Sequence, residues 1–450
     1  MQLTRPGCVR TALRAAACLV LATGLSAAAR AEEPAPPPMP APTTTPGWQL
    51  DATGLLYSEQ SRTSVVEPIG RITRLFQSGQ TLSAQLAIDA MTGASPTGER
   101  PSLQTQTVTS ASGTTTHAVG EVPTKTFKDL RGAGELNWGF PAGTLFQGGA
   151  NAHYSREQDY ESIGAGGSAS LDVLHRLVTL TVGGGYNKDQ VFPVGGTPIP
   201  LVDASTPRAP GRNAKDVGSW LVGLSRVVSR RWLMGGNLTL TRESGYLTEP
   251  YKVISLIDPA TDLSQALLTE SRPSTRDRRA ALASAVYHQD ANILYLEYRY
   301  YWDDWRVRSH TIDGRYLIAL PGGTHLTPHL RLYTQDAAEF YAPKLDLNAP
   351  LPEFASSDYR LGPLNGVTFG ASYGFQMPNS PGEWTVRAEY IRQWGRGPAF
   401  PSNSEGGGGG AGGERPAQPA AAQAATDPQP IDTIPPLNIG SVVIGYTLHF

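Results

Sequence analysis

The segment Gln80–Ala90, QTLSAQLAIDA, carries an apolar residue at every second position. Leu82, Ala84, Leu86, Ile88 and Ala90 fall on one face of an extended chain, and Ser83, Gln85 and Asp89 fall on the other. Side chains of a strand alternate between faces with period two, whereas an amphipathic helix repeats its apolar positions every three or four residues. The segment therefore reads as a strand with one apolar and one polar side. What covers the apolar side, a protein core or the hydrocarbon of a membrane, decides the fold.

The same period recurs along the chain. In Lys128–Phe140, Leu130, Gly132, Gly134, Leu136, Trp138 and Phe140 oppose Asp129, Arg131, Glu135 and Asn137. Val178, Leu180, Val182, Gly184 and Tyr186 oppose Thr179, Thr181 and Asn187, and Val367, Phe369, Ala371, Tyr373 and Phe375 oppose Thr368, Ser372 and Gln376. About sixteen such segments can be marked, each near the roughly ten residues of a tilted spanning strand. They are 48–59, 65–77, 80–91, 126–140, 144–155, 161–173, 177–189, 216–228, 231–243, 277–288, 292–304, 308–320, 326–340, 363–377, 383–395 and 437–450.

The connections alternate in length. Ser78-Gly79, Pro141-Ala142-Gly143, His175-Arg176, Ser229-Arg230, Asp290-Ala291, Gly322-Gly323 and 379–382 are tight links, while 92–125, 190–215, 244–276, 341–362 and 396–436 are long. All the long links share one parity, so they lie at one end of the sheet. A soluble sandwich or solenoid also alternates apolar and polar positions. An outer-membrane barrel further predicts an even strand number, short turns at one end, long loops at the other, and aromatic residues at the borders of the apolar face. Trp138, Phe140, Tyr154, Tyr186, Trp220, Trp232, Tyr300, Trp302, Trp384, Tyr390, Tyr446 and Phe450 fit that expectation. The expected fold class is all-β: a transmembrane antiparallel up-and-down barrel of about sixteen strands.

Composition narrows the alternatives. The chain of 450 residues holds 49 Gly and 37 Pro, which suits a strand- and loop-rich protein, and a net charge of −2 argues against a partner recognised through phosphate contacts such as nucleic acid. Residues 1–31 read as a targeting segment. Arg5, Arg10 and Arg14 precede the short apolar stretch Ala15–Leu25, and Ala29-Arg30-Ala31 places small residues before a cut ahead of Glu32. Cleavage there leaves 33 basic against 39 acidic side chains, and removes Cys8 and Cys18, the only cysteines. Disulfides, thiolate metal sites and cysteine nucleophiles are thereby excluded from the mature chain. Residues 32–47, EEPAPPPMPAPTTTPG, read as a Pro-rich periplasmic linker, 48–450 as the barrel, and 396–436, with five glycines from Gly406, as a low-complexity external loop.

Three stretches are more specific than the architecture: IDAMTGASPTG (Ile88–Gly98), ESRPSTRDRRA (Glu270–Ala280), and YRYYWDDWRVRSHT (Tyr298–Thr311) with LRLYTQDAAEFY (Leu330–Tyr341). In these the chain resembles the family named domain of unknown function 3570, a group of bacterial outer-membrane barrels, over about residues 48–450. The resemblance implies fold and outer-membrane location and carries no activity. It also implies a role for the last strand, NIGSVVIGYTLHF (Asn438–Phe450). Such barrels end on an aromatic-terminated strand read by the barrel-insertion machinery, so Tyr446, Leu448 and Phe450 are the expected assembly signal. In a closed barrel that strand pairs with the first, and its apolar face meets lipid and lipopolysaccharide.

Candidate functional residues follow from the polar face. Outward Leu294, Leu296, Tyr298, Tyr300 and Trp302 leave Glu297 and Arg299 pointing into the lumen; by the same parity Asp313 and Arg315, His329 and Arg331, and Arg387 and Glu389 line it on neighbouring strands. Strands lie about 4.8 Å apart, close enough for these charges to form a ladder. Two readings stay open: a constriction that sorts small solutes by charge, or a salt-bridged filling of the lumen. Asp303, Asp304 and His310 flank a tight turn but offer too few oxygen ligands for calcium. Ser309 and His310 point to opposite faces, and His153 and Ser155 stand about 7 Å apart along a strand, so neither pair makes a nucleophile and base. Glycine runs at 148–149, 164–167 and 183–185 precede no helix and lack the Walker lysine. The expectation is a porin-like channel or solute transporter without cofactor, metal or catalytic centre. The alternative is a plugged barrel serving as scaffold or anchor for periplasmic or surface partners.

Overall fold

The computed structural model describes residues 46–101, 106–110, 113–117, 122–378, 380–395 and 434–450. The expected targeting segment, all but the last two residues of the Pro-rich linker, and 396–433 of the low-complexity loop lie outside the described residues. The strands are β1 (Gly47–Glu59), β2 (Thr63–Leu75), β3 (Thr81–Pro96), β4 (Gln106–Ser110), β5 (Gly113–His117), β6 (Thr124–Ala142), β7 (Phe146–Arg156), β8 (Tyr160–Val173), β9 (Val178–Val191), β10 (Asn213–Val227), β11 (Trp232–Gly245), β12 (Val253–Asp258), β13 (Leu263–Thr269), β14 (Thr275–Gln289), β15 (Asn292–Asp303), β16 (Arg308–Ala319), β17 (His325–Gln335), β18 (Leu345–Asp346), β19 (Leu364–Gln376), β20 (Gly382–Gly395) and β21 (Leu437–His449). Sixteen of them close into one antiparallel barrel in the order β1-β2-β3-β6-β7-β8-β9-β10-β11-β14-β15-β16-β17-β19-β20-β21. Each barrel strand corresponds to one segment marked by alternation.

Closure occurs between the first and last strands. β1 pairs with β21 from Gln49–His449 to Glu59–Ile439. Beyond the ladder, Trp48 N–H donates to Phe450 O at 2.6 Å and Phe450 N–H to Trp48 O at 2.9 Å. The barrel sheet therefore has no free edge, as hydrocarbon requires of a spanning sheet.

The barrel is inside-out relative to a water-soluble protein. Its exposed side chains include Leu86, Ile88, Leu130, Leu136, Ile163, Val222, Ile312 and Phe369, whereas Asp51, Glu67, Asp89, Asp189, Glu243 and Glu389 are buried. The turn end carries outward aromatic pairs: Trp138–Phe140, Trp232–Tyr287 and Trp384–Tyr446, with centroids 4.8, 4.6 and 4.8 Å apart. At the loop end Tyr300 stacks on Trp302 at 5.3 Å. An apolar band between two aromatic girdles is the wall of a barrel that crosses a bilayer.

The long links carry strands of their own that the sixteen alternating segments do not include. β12, β13 and β18 form a separate three-stranded sheet built from 246–274 and 336–363, and β4 pairs with β5. The strand expected over 326–340 ends at Gln335, because Ala338 N–H and Glu339 N–H turn away to Leu361 O and Trp305 O at 2.8 and 2.9 Å. Trp305, Val307, Ala338 and Leu361 form an apolar cluster there, with Leu247, Tyr301, Phe340 and Tyr341 packed around it. The loop end thus carries a folded cap with its own core.

Candidate functional site

The lumen wall on β15, β16, β17 and β20 brings seven of the eight charged residues singled out from sequence into one network. Arg315 donates to Glu297 at 3.3 Å and forms an ion pair with Asp313 at 3.2 Å. Asp313 also accepts from Arg331 Nε at 2.9 Å and from His329 Nε2 at 2.8 Å. The other ring nitrogen of His329 lies 2.8 Å from Glu389 Oε1, and Arg387 Nε stands 3.9 Å from that same oxygen. The His329 ring is thus held between two carboxylates, one at each nitrogen. Arg299 also lies on the inward face, between Leu282 of β14 and Thr311 of β16, and is more exposed than the rest.

One backbone position lets the ladder cross a strand. His329 of β17 pairs with Gly370 of β19, and Gly370 in turn pairs with Glu389 of β20. His329 reaches Glu389 over Gly370; a Cβ at that glycine would fall 2.7 Å from Glu389 Cγ. Across the band three acids, Glu297, Asp313 and Glu389, stand against four arginines, Arg299, Arg315, Arg331 and Arg387, with His329 between two of the acids.

The opposite wall has different chemistry. β17 is thirteenth in barrel order and β7 fifth, half a circumference apart. Inward positions on β7, β8 and β9 include Gly149, Gly164, Gly166, Gly183, Gly185, Ser168 and Thr181, as their pairing registers show. At Gly164 a Cβ would meet Asn187 Oδ1 and fall 2.5 Å from His153 Cε1, so that glycine makes room for the inward side chains of both neighbouring strands. A charged band thus faces a wall rich in glycine and serine, with Asn151, His153 and Asn187 among them.

Sequence reasoning missed a second tier of buried pairs, towards the loop end. Arg131 binds Asp89 at 2.9 Å and donates to Ser155 at 3.2 Å. Glu243 accepts from Arg278 at 2.7 Å with Lys215 at 3.5 Å, and Arg276 pairs with Asp303 at 2.5 Å beneath the ring of Trp305, 4.2 Å from its centroid. Their signal was the same inward parity that marked Arg299 and Asp313. Above them the cap is tied by a buried ion cluster. Arg272 contacts Glu270 at 2.6 Å and Asp358 at 2.9 Å, and Arg360 contacts Asp358 at 2.6 Å and Glu249 at 3.3 Å. Ser356 Oγ and Glu249 N–H each donate to Glu270 at 2.5 Å. Burial pushes the Glu270 carboxyl up, with Arg272 opposing. Burial also opposes ionisation of Asp358, but Arg360 and Arg272 outweigh it and hold that carboxyl well below its usual range. Lys252 links the cap to the barrel rim through Ser95 Oγ at 3.2 Å and Pro96 O.

Metal and catalytic readings find little support. Asp303 is buried against Arg276 while His310 faces outward, so the acids and histidine of that turn do not converge. Asp129, Glu157 and Asp159 place one carboxylate oxygen each within 4.8 Å of one another at the rim. Three oxygens fall short of the six or more that calcium takes, and Arg131 already stands 3.7 Å from Glu157. Ser155 accepts from Arg131, and Ser309 lies inward with His310 outward, which separates both serine–histidine pairs.

A family model described as Protein of unknown function (DUF3570) matches residues 10–406. The chain belongs to this family. The match begins inside the expected targeting segment and stops before β21. No curated protein matches the chain. Solved structures similar to it include the toluene transporter TodX of Pseudomonas putida, at 8% identity and TM-score 0.36 over 90% of each chain. OccK2 of Pseudomonas aeruginosa, in complex with glucuronate, shows 11% identity and TM-score 0.38 over 90% of this chain and 98% of its own. The siderophore receptor PirA of Pseudomonas aeruginosa shows 7% identity and TM-score 0.39 over 79% of this chain; this chain spans 57% of the receptor's length. The family member described here resembles these proteins in barrel architecture.

Proposed function

We propose that this protein is an outer-membrane channel or solute transporter whose lumen sorts small solutes by charge. The observation that carries the reading is the barrel's width combined with its two unlike walls. Sixteen strands spaced about 4.8 Å apart and tilted about 40° enclose a cylinder of roughly 16 Å radius, beyond what wall side chains fill. The band from Glu297 to Glu389 is mutually paired on one side, while the opposite strands β7–β9 carry many glycines and serines inward. Residues 1–31 as an export signal, 32–47 as a periplasmic arm and 396–436 as an external loop complete the reading, with Tyr446, Leu448 and Phe450 presented to the barrel-insertion machinery.

Planar-bilayer recording of the folded, full-length protein tests it. Stable conductance is expected, and Arg299→Gln with Arg331→Gln removes two positive charges from the lumen, shifting the reversal potential in a salt gradient towards cation preference. A folded barrel that never conducts overturns the proposal. One observation favours a second reading: the loop end bears a cap with its own apolar core and buried ion pairs. A barrel held shut by that cap would be a scaffold for periplasmic or surface partners. Such a barrel would stay silent in bilayers and lose a partner when residues 32–47 are deleted.

A further inference from the structure

Three connections that leave the barrel at well-separated points meet in one place. They follow β3, β11 and β17, which are third, ninth and thirteenth in the sixteen-strand ring, so the gaps between them are six, four and six strands. No gap reaches eight strands, half the ring. The triangle of their anchor points therefore encloses the barrel axis, and the three chains meet over the lumen. The meeting point is Val253 of β12. Its N–H donates to Thr97 O of the first link at 2.9 Å, and its carbonyl accepts from Ser357 Oγ of the third at 2.7 Å. Gly98 lies buried against both: a Cβ there would meet Ser357 Oγ and fall 2.6 Å from Val253 O. With φ at +91°, this position is one that glycine takes without strain.

The seam between the first link and the cap is polar. Arg100 N–H donates to Ser255 Oγ at 2.9 Å, the Arg100 guanidinium grips Asp262 through two bonds of 2.8 and 2.9 Å, and Lys252 Nζ reaches Ser95 Oγ and Pro96 O. The apolar cluster of the cap, around Trp305 and Leu361, includes no residue of 92–101. Within the cap the ties are denser: β12 and β13 share a ladder, Ser271 bridges to Ala355, and Arg272 joins Glu270 to Asp358. A unit bound tightly to itself, and to the facing link by hydrogen bonds and ion pairing alone, parts along that seam first.

We infer that the cap is a lid: it closes the loop end of the lumen, and it opens by separating from residues 95–100. The junction of Gly98, Val253 and Ser357 is the closing contact, and solutes pass the loop end when it parts. The inference rests on the water-filled barrel of the proposed function and adds how that lumen is shut. The conductance expected of the folded barrel is that of the open lid.

A single thiol in the lumen tests it: Ser372→Cys on β19, in the full-length chain with Cys8 and Cys18 replaced by Ala. In intact cells, a maleimide carried on a short polyethylene glycol that the outer membrane excludes reaches this thiol only through the loop end. Labelling is expected to be slow, and about twenty-five-fold faster once Gly98→Leu is added. That figure takes about a factor of five for each of the two seam hydrogen bonds, Val253 to Thr97 and Arg100 to Ser255, that the larger side chain breaks. In planar bilayers the open fraction rises with it while the unitary conductance stays the same. Asp262→Ala, which releases Arg100 at a half-exposed site, gives about threefold and is read the same way should Gly98→Leu fail to fold. Leu351→Ala, exposed on the cap, changes neither readout. Equal labelling with and without the seam substitutions, fast or slow, overturns the lid alone. A thiol that stays unlabelled even in permeabilised cells means a filled lumen and overturns the lid and the channel together. Silence of every variant in bilayers, with the labelling difference intact, overturns the channel and leaves the lid.

Discussion

Replacing Arg272 by Ala removes the cation at the centre of the cap. Its guanidinium contacts Glu270 at 2.6 Å and Asp358 at 2.9 Å, and these carboxylates are 0% and 4% exposed. Breaking a buried pair by deleting one partner costs about 3–5 kcal/mol, because the remaining charge stays desolvated. Here Asp358 keeps Arg360 at 2.6 Å, and Glu270 keeps Ser356 and the Glu249 N–H, which places the loss at the lower end. About 3 kcal/mol shifts the opening equilibrium of the cap about 150-fold. Hydrogen exchange of the folded barrel in detergent reads this directly. Amides of 246–274 and 336–362 are expected to exchange faster by that factor, while those of the barrel strands stay unchanged. Arg272→Lys falls between, since an ammonium cannot bind both carboxylates through a planar fork. A cap whose exchange changes by less than about threefold, a cost of under 1 kcal/mol, would refute the view that this cluster holds it together.

Three further perturbations follow. Gly370→Ala places a methyl where His329 crosses to Glu389, so it is expected to separate that pair and lower the temperature at which the folded band is lost on semi-native gels, whereas Gly440→Ala, with open space around its Cβ, does not. Burial, with the Asp129 carboxylate beside it, pushes the Glu157 carboxyl up to about 7. Because its folded-state pKa is raised above the free value of 4.5, its contribution is fully present below pH 4.5 and lost as pH rises through about 7. Glu157→Gln therefore leaves urea unfolding unchanged at pH 4 and stabilises by up to about 3 kcal/mol at pH 8. Phe369→Arg puts a charge on the lipid side of β19 and is expected to destabilise refolding into vesicles by about 2–4 kcal/mol, while Ser372→Arg on the lumen side of that strand is tolerated.

The barrel was legible because its physics is local. Alternation fixes which face each residue takes, and a wall that meets lipid on one side and water on the other must alternate along every strand. Gln80–Ala90 alone carries the period, and parity then puts Glu297, Asp313, His329 and Glu389 on one face, where the structure joins them in one network. Their contacts were less legible. The reach of His329 over β19 depends on the absence of a side chain at Gly370, which emerges only once β17, β19 and β20 are set in register. The cap was not legible at all. Glu270, Arg272, Asp358 and Arg360 lie in two loops far apart in sequence, and no periodicity marks residues that pair through loop packing.

The account depends on lipid covering one side of each strand and water the other. Single cysteines at Phe369 and Ser372, neighbours on β19 that face opposite ways, test this in a background with Cys8 and Cys18 replaced by Ala. In vesicles, a charged, membrane-impermeant maleimide is predicted to label Ser372→Cys and spare Phe369→Cys, with a lipid-soluble quencher reporting the reverse. Equal labelling of both positions from water would contradict the membrane-spanning barrel.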